Sequence, residues 1–261
     1  FGKGIRLLEA LYNLSKLLDV GAYPLFKQYM RYIYYGDSLK STYLGNHNLH
    51  PQLSFVYSEY YKQFWNDKYD FDVKKMEVIT PPDLLLIDQV KSASKENALC
   101  YITQTLVEDG RMKKRTFLKL MEEYKGLIKS LDKFIIKLHP RSNVSLYNTF
   151  VGLENVQIVR EFPHTTSYLT HYSSMAFLAA FLSNTVILHE LEGHPTPSIF
   201  KHVSNYIVND TNDINSVVKD VNVGEKRKRG INYDEIKYYS FVEDINPFEK
   251  IYKTISFDLG R

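Results

Sequence analysis

The chain has 261 residues, enough to bury a large core and to hold one or two domains. A formal net charge of +3 is too small to argue for nucleic acid as a partner. Apolar and charged fractions of 44% and 24% are those of an ordinary globular protein, and the 21 tyrosines read as compositional drift.

Residues 5–18 carry Ile5, Leu8, Leu11, Leu14 and Leu18 at helical spacing. An apolar, aromatic stretch follows from Tyr23 to Tyr35. Thr42–Leu44 and Leu53–Tyr57 read as short strands, Tyr60–Asn66 as a helix and Met76–Ile79 as a strand stopped by Pro81 and Pro82. The polar stretch Lys91–Asn97 reads as a linker or exposed loop. Beyond it the pattern becomes regular. Strands are expected at Leu99–Thr103, Lys133–Leu138, Val156–Val159, Tyr168–Thr170, Thr185–His189 and Tyr206–Val208. Helices are expected at Lys113–Leu131, Val144–Val151, Ser174–Leu182, Asn212–Val221 and Pro247–Ile255. Strands alternating with helices predict a parallel sheet covered on both faces.

The expected organisation is a Rossmann-like domain over 92–261, with 1–91 forming a smaller or incomplete N-terminal α/β domain. The one cysteine, Cys100, lies in the apolar run Ala98–Ile102 and reads as a small buried hydrophobe. It excludes a disulfide framework and suits a reducing, cytoplasmic setting. No run of about 18 apolar residues and no signal-peptide pattern is visible, so no transmembrane helix is expected. The start at Phe1 rather than Met reads as a fragment or as a chain with its first residues missing.

Three groups of residues carry candidate chemistry, each placed after an expected strand, where open α/β sheets bind ligands. Glu108-Asp109-Gly110 follows the strand ending at Thr103. One carboxylate can serve as general base while its neighbour positions the loop, and Gly110 allows a tight turn. The plain alternative is a pair of acids at a helix start. His139-Pro140-Arg141 follows Phe134–Leu138. An imidazole beside a guanidinium suits a phosphate leaving group, and Pro140 restricts the backbone of His139. Otherwise His139 is a strand-end residue satisfied by backbone bonds. Ser173-Ser174 opens a helix, where one hydroxyl can cap while the other reaches a ligand.

Other signals carry less. His189 and His194 are five residues apart, with Gly193 and Pro195 interrupting any helix, so they do not make a zinc-protease pair. No glycine-rich dinucleotide fingerprint and no P-loop is present. His47 and His50 fall in an expected loop, and Lys226–Arg229 is the only dense charge run. That run reads either as a solvated loop or, with Lys219 and Lys237, as a contact with an anionic membrane surface.

The three motifs together resemble those of bacterial sialyltransferases of the GT-B fold. The contexts Ile102–Gly110 and Ile136–Arg141 look most like glycosyltransferase family 52, the lipooligosaccharide sialyltransferases, with the bacterial polysialyltransferases close behind. The resemblance covers roughly residues 98–190. It implies a GT-B-like α/β enzyme that moves sialic acid from CMP-sialic acid to a hydroxyl of a glycan, lipooligosaccharide or capsule, in a single displacement. It implies no metal and no cofactor besides the donor substrate, in keeping with the lack of an Asp-x-Asp site. The acceptor is a glycan, in one reading lipid-linked at the inner membrane face. Carried over, Glu108 or Asp109 is the base, with Glu108 preferred because the first acid is the usual one. His139 stabilises or protonates the departing phosphate, and Ser173 and Ser174 hold it. Gln104, Gly110, Pro140 and Arg141 complete the expected donor site.

Two alternatives remain open. A CDP-alditol phosphotransferase of the teichoic-acid type also uses Lys-x-His-Pro and Tyr-Ser-Ser, here Lys137–Pro140 and Tyr172–Ser174. It usually carries an acid where this chain has His171. A non-catalytic nucleotide-sugar or glycan-binding module is the second.

Overall fold

The computed structural model describes residues 51–182, 185–223, 233–240 and 246–258, and in addition the helical residues 12, 13, 16, 23, 26 and 27. The expected strand at Thr42–Leu44, most of the first helix, His47, His50 and the basic run at 226–229 lie outside the described residues. Two compact units are present, Phe1–Ile79 with Lys253–Arg261, and Thr80–Tyr252.

In the first unit β1 (Ser54–Val56) pairs in parallel with β2 (Met76–Val78). Between them runs α1 (Glu59–Tyr69), whose first turn is capped by Ser58 accepting from the Tyr61 N–H at 3.3 Å. It ends at Asp70, which turns left-handed with φ 64° and donates its N–H to the carbonyl of Asn66.

The second unit opens with a 3-10 turn (Pro82–Leu86) and α2 (Ile87–Ser92). The sequence reading placed the domain boundary at 91/92, in the polar stretch. The compact units divide at Ile79–Thr80 instead. The physical reason is apolar contact: Leu84 and Val90 are buried, and the 3-10 turn packs against a helix of the main sheet.

That sheet has six parallel strands: β3 (Glu96–Ile102), β4 (Phe134–Lys137), β5 (Val156–Val159), β6 (Thr165–Thr170), β7 (Thr185–His189) and β8 (Tyr206–Val208). Their spatial order is β5-β4-β3-β6-β7-β8. Chain direction across the sheet therefore reverses between β3 and β6, giving the 3-2-1-4-5-6 order of a Rossmann sheet. The register sets Cys100 beside Ile135 and Tyr168, and Tyr101 beside Ile136 and Leu169.

Strand alternation sends Leu99, Tyr101, Phe134, Ile136, Leu169 and Ile187 to one face. There they meet α3 (Lys114–Ile128), whose Phe117, Leu120, Met121, Tyr124, Leu127 and Ile128 recur at helical spacing and are all buried. The 3-10 turn Val144–Phe150 and α6 (Thr211–Val223) pack on the same helix. Cys100, Ile102, Ile135 and Lys137 take the opposite face. The turn Pro82–Leu86 and α4 (Met175–Phe181) pack together, and α4 lies on β6 and β7.

Two short helices, α5 (Ser198–His202) and α7 (Tyr233–Tyr239), were not anticipated from the sequence. They pack on each other, with His202 Nδ1 against the Glu235 carboxylate and the His202 ring stacked on Tyr239. Helix α8 (Pro247–Asp258) closes the described chain. The expected helix at Val144–Val151 is a 3-10 turn, capped by Asn143. No helix among the described residues is long and apolar enough to cross a membrane.

Beneath the carboxyl edge of the sheet lies a buried polar layer. His171 Nδ1 donates to the carbonyl of His189 at 2.9 Å, so its Nε2 accepts from the Tyr101 hydroxyl at 3.1 Å. The Tyr124 hydroxyl bonds His189 Nδ1 at 2.7 Å. Burial pushes His171 down to about 3 from an ordinary value of 6.5, and burial lowers His189 as well. The unfolded chain therefore takes up these protons first. Stability from the neutral layer is complete above about pH 6.5 and is lost as pH falls toward 3. Each unmatched proton costs about 1.4 kcal/mol per pH unit. Chemical denaturation between pH 4 and 7 should show this slope. In His171→Phe it should be reduced, beyond an offset from the lost bonds.

Candidate functional site

The carboxyl ends of β3, β4 and β6 bring the three sequence motifs to one edge. After β3 the chain runs through buried Thr103, Gln104 and Thr105 into the acidic loop. After β4 it reaches His139, and after β6 it reaches His171, Tyr172 and the serine pair. This edge flanks the point where strand order reverses, the usual ligand position in a Rossmann sheet.

The two adjacent acids have different environments. Asp109 accepts from Thr105 Oγ1 at 2.7 Å and Arg111 Nη2 at 2.6 Å, and pairs with Arg141 through both oxygens at 3.1 and 3.4 Å. The Thr105 and Arg111 bonds, joined by the charge of Arg141, hold its carboxyl down at about 2. So fully engaged a carboxylate is a poor proton acceptor. Glu108 makes one bond, accepting through Oε1 from the Asn143 N–H at 2.6 Å. That bond ties the acidic loop to the start of the 3-10 turn after β4. Gly110 has φ 70°, a left-handed backbone that a side chain would strain. Arg111 is itself held by Asp109 and lies 5.6 Å from the Tyr172 ring centroid.

His139 is half-buried. Its N–H donates to Thr103 Oγ1 at 2.9 Å, and its Nδ1 accepts from the Arg141 N–H at 3.1 Å. With Nδ1 an acceptor, the neutral ring carries its hydrogen on Nε2. Burial lowers the imidazole pKa, the charges of Arg141 and Lys137 lower it further, and Asp109 and Glu108 only partly offset them. At neutral pH the free residue is therefore an Nε2–H donor rather than an imidazolium.

The serines divide their work. Ser173, buried, accepts from the Met175 N–H at 3.3 Å. Ser174 is exposed and its hydroxyl makes no capping bond. Both line a cavity of about 510 Å³, together with His139, Pro140, Lys137, Arg160 and Asp83.

The cavity thus gathers four of the residues expected from the sequence: His139, Pro140, Ser173 and Ser174. It does not gather Glu108, Asp109, Gly110 or Arg141, which stand in the neighbouring loop network, joined to His139 through the Arg141 backbone. Gln104 does not line the cavity either: it is buried, and its Oε1 accepts from the Tyr172 N–H at 3.3 Å, bracing the loop after β6. Sequence reasoning missed Lys137, Arg160 and Asp83 as cavity residues. Lys137 was legible as a charge inside an apolar strand; Arg160 and Asp83 had no signal beyond following a strand and a proline pair.

His189 and His194 sit at a strand end and in an isolated bridge with Leu191, not on one helical face. Among the described residues no group of three His, Cys, Asp or Glu side chains is placed to hold a metal ion.

No family model matches the chain, and no curated protein matches it. Solved structures do. The chain is similar to the UDP-GlcNAc 2-epimerase of Methanocaldococcus jannaschii in complex with UDP-GlcNAc and UDP. There the TM-score is 0.54 at 16% identity, covering 83% of this chain and 63% of the other. It is similar also to a variant of the wall teichoic acid polymerase TagF, with TM-score 0.54 at 13% identity and coverage of 80% and 60%. A TagF structure soaked with CDPG gives 0.53 at 13% identity. The fold is α/β and GT-B-like. The chain spans less than two thirds of the length of these structures.

The Asp109 cluster yields a pH test. Its folded pKa lies below the ordinary 3.8, so its contribution is present above about pH 4 and is lost as pH falls through about 2. Asp109→Asn lacks it throughout. The gap in melting temperature between wild type and Asp109→Asn should be open at pH 6 and close between pH 4 and 2. A gap that persists at pH 2 would mean the carboxylate charge is not what holds the loop.

Proposed function

We propose that the chain is a glycosyltransferase acting on a nucleotide-activated sugar, with the donor phosphate bound in the cavity below His139. The observation that carries this is the convergence of His139, Ser173 and Ser174 with Arg160 in one cavity at the carboxyl ends of parallel strands of one sheet. The likeness in fold to structures whose names mention UDP-GlcNAc, UDP and CDPG supports a nucleotide donor. The finer reading, sialic acid carried by CMP, rests on the sequence resemblance of Glu108–Gly110, His139-Pro140 and Ser173-Ser174.

In this reading Glu108 takes the proton from the acceptor hydroxyl. Its Oε1 is anchored by the Asn143 N–H, which leaves Oε2 to accept. The acceptor oxygen forms its bond to the anomeric carbon as the bond from that carbon to the phosphate oxygen breaks. The electron pair leaves with CMP. His139 donates a hydrogen bond from its Nε2–H to the departing phosphate and stabilises the charge that gathers there as the bond breaks. Asp109 acts indirectly by orienting Arg141, whose backbone N–H fixes the His139 ring.

CMP or CMP-sialic acid should raise the melting temperature more than UDP or GDP. At a hundred times its dissociation constant the added stability is about 2.7 kcal/mol. A larger shift with UDP would remove the CMP assignment. His139→Ala should lower turnover by about 10²–10⁴, and Glu108→Gln should cut turnover with donor affinity nearly unchanged. Wild-type rates in both would retire the transferase reading.

A second reading, the CDP-alditol phosphotransferase, is favoured by Lys137-x-His139-Pro140 and Ser173-Ser174 lining one cavity. Against it, His171 occupies the usual acid position and is buried with both ring nitrogens bonded. Release of CMP from CMP-sialic acid, set against transfer from CDP-glycerol, separates the two. Nucleotide binding without either turnover would point to a binding module. The acceptor would be a glycan, and a lipid-linked one would bring the enzyme to the inner face of the membrane from the cytoplasm. Charge reversal at 226–229 should then release it from anionic vesicles while activity on a soluble acceptor persists.

A further inference from the structure

Lys137 is the last residue of β4 and points to the face opposite the main core. The residue is only 8% exposed, and it lines the cavity. Among the described residues it makes no ion pair. Asp83, exposed and lining the same cavity, attracts it electrostatically without forming an ion pair. Arg160 and His139 line the same space, so two full positive charges and a hydrogen-bond donor face one cavity whose acids are Asp83 and Glu161.

Holding an ammonium in this state is costly. Desolvation disfavours the charged form, and burial lowers the pKa of Lys137 accordingly. The neighbouring apolar residues of β4 show what the position would hold for stability alone: Ile135, two residues back on the same face, is a buried isoleucine. A lysine at this place is explained if an anion completes it. His139 and Ser174 are the residues already given to the first phosphate, and Lys137 enters the cavity from the strand itself rather than from a loop.

We propose that Lys137 binds a second anionic group of the donor, separate from the phosphate at His139. The donor then carries two negative groups: either a carboxylate on the transferred sugar or a second phosphate. Naming that group rests on the nucleotide-donor reading; the anion site itself rests on the cavity alone.

The test is calorimetric titration of the full chain, as wild type, Lys137→Met and Lys137→Gln, with inorganic pyrophosphate, CMP, CDP and CMP-sialic acid. Lys137→Met should keep the fold with an equal or higher melting temperature, because a desolvated ammonium is replaced by an apolar side chain of similar length. CMP affinity should change by less than about threefold, while pyrophosphate affinity should fall at least about tenfold, as expected for a lost bond to a charged group. A matching loss for CMP-sialic acid and not CDP assigns the sugar carboxylate; a loss for CDP and not CMP-sialic acid assigns a second phosphate. If no nucleotide binds the wild type but pyrophosphate binding still depends on Lys137, the donor reading fails and the anion site stands. The proposal is overturned if pyrophosphate does not bind the wild type, or binds the variants equally well. It is overturned too if CMP is weakened as much as pyrophosphate, or if both variants unfold, which would make Lys137 structural.

Discussion

The parallel pairing of β3 with β4 on one side and β6 on the other sets the positions of the acidic loop, His139 and the serine pair. Parallel strands end at the same edge, so the loops that follow all three emerge together. Hydrogen bonds then lock the strand ends. Thr103, at the end of β3, accepts the N–H of His139, and its hydroxyl lies 3.3 Å from that of Ser142. Gln104 accepts the N–H of Tyr172. The residues just after β3 are thus buried braces reaching to both neighbours. The acids come only after these braces, where the loop is exposed.

Electrostatics separates residues that look alike in sequence. Glu108 and Asp109 are consecutive carboxylates, yet one meets a single backbone N–H and the other meets a threonine and two arginines. The second arrangement stabilises the ionised form so strongly that Asp109 serves as a fixed negative charge. It organises Arg141 and Arg111, and with Glu108 it offsets part of the effect of Arg141 and Lys137 on His139. The imidazole remains neutral because burial and the two nearby cations outweigh the acids. A neutral ring of this tautomer is suited to donate its Nε2–H to a phosphate without a fixed charge of its own.

Much of this arrangement was legible in the chain. The alternation of Val- and Ile-rich runs with amphipathic segments located all six strands of the main sheet. The spacing of Phe117, Leu120, Met121, Tyr124, Leu127 and Ile128 located its longest helix. Placing motifs after strands identified His139, Ser173 and Ser174 as neighbours, since strand ends converge in any parallel sheet. What was not legible depended on partners distant in sequence. Gln104 reads as a polar residue near a site, and only its bond to the Tyr172 N–H, contributed from β6, shows that it braces a loop. The unit boundary was hidden because Leu84 and Val90 sit in a short segment without clear periodicity. The helices Ser198–His202 and Tyr233–Tyr239 have too few turns to show a repeating face.

The loop after β6 shows how the core and the site depend on each other. His171 is held by Tyr101 from β3 and by the His189 carbonyl from β7, so the residue before Tyr172 is fixed from both flanking strands. Those bonds require a neutral ring with a defined tautomer, and burial supplies the neutrality. A carboxylate at this position would have to be desolvated with no cation among its contacts, and it could not donate to the His189 carbonyl while ionised. The histidine is therefore matched to its neighbours, Tyr101 and the His189 carbonyl, rather than to a ligand. Its anchoring lets the next residues differ: Ser173 turns inward to bond the Met175 N–H, and Ser174 faces the cavity with its hydroxyl unspent on the cap. The groups that fix this edge are buried, neutral and bonded at each end, while those facing the cavity keep a donor or a charge in reserve.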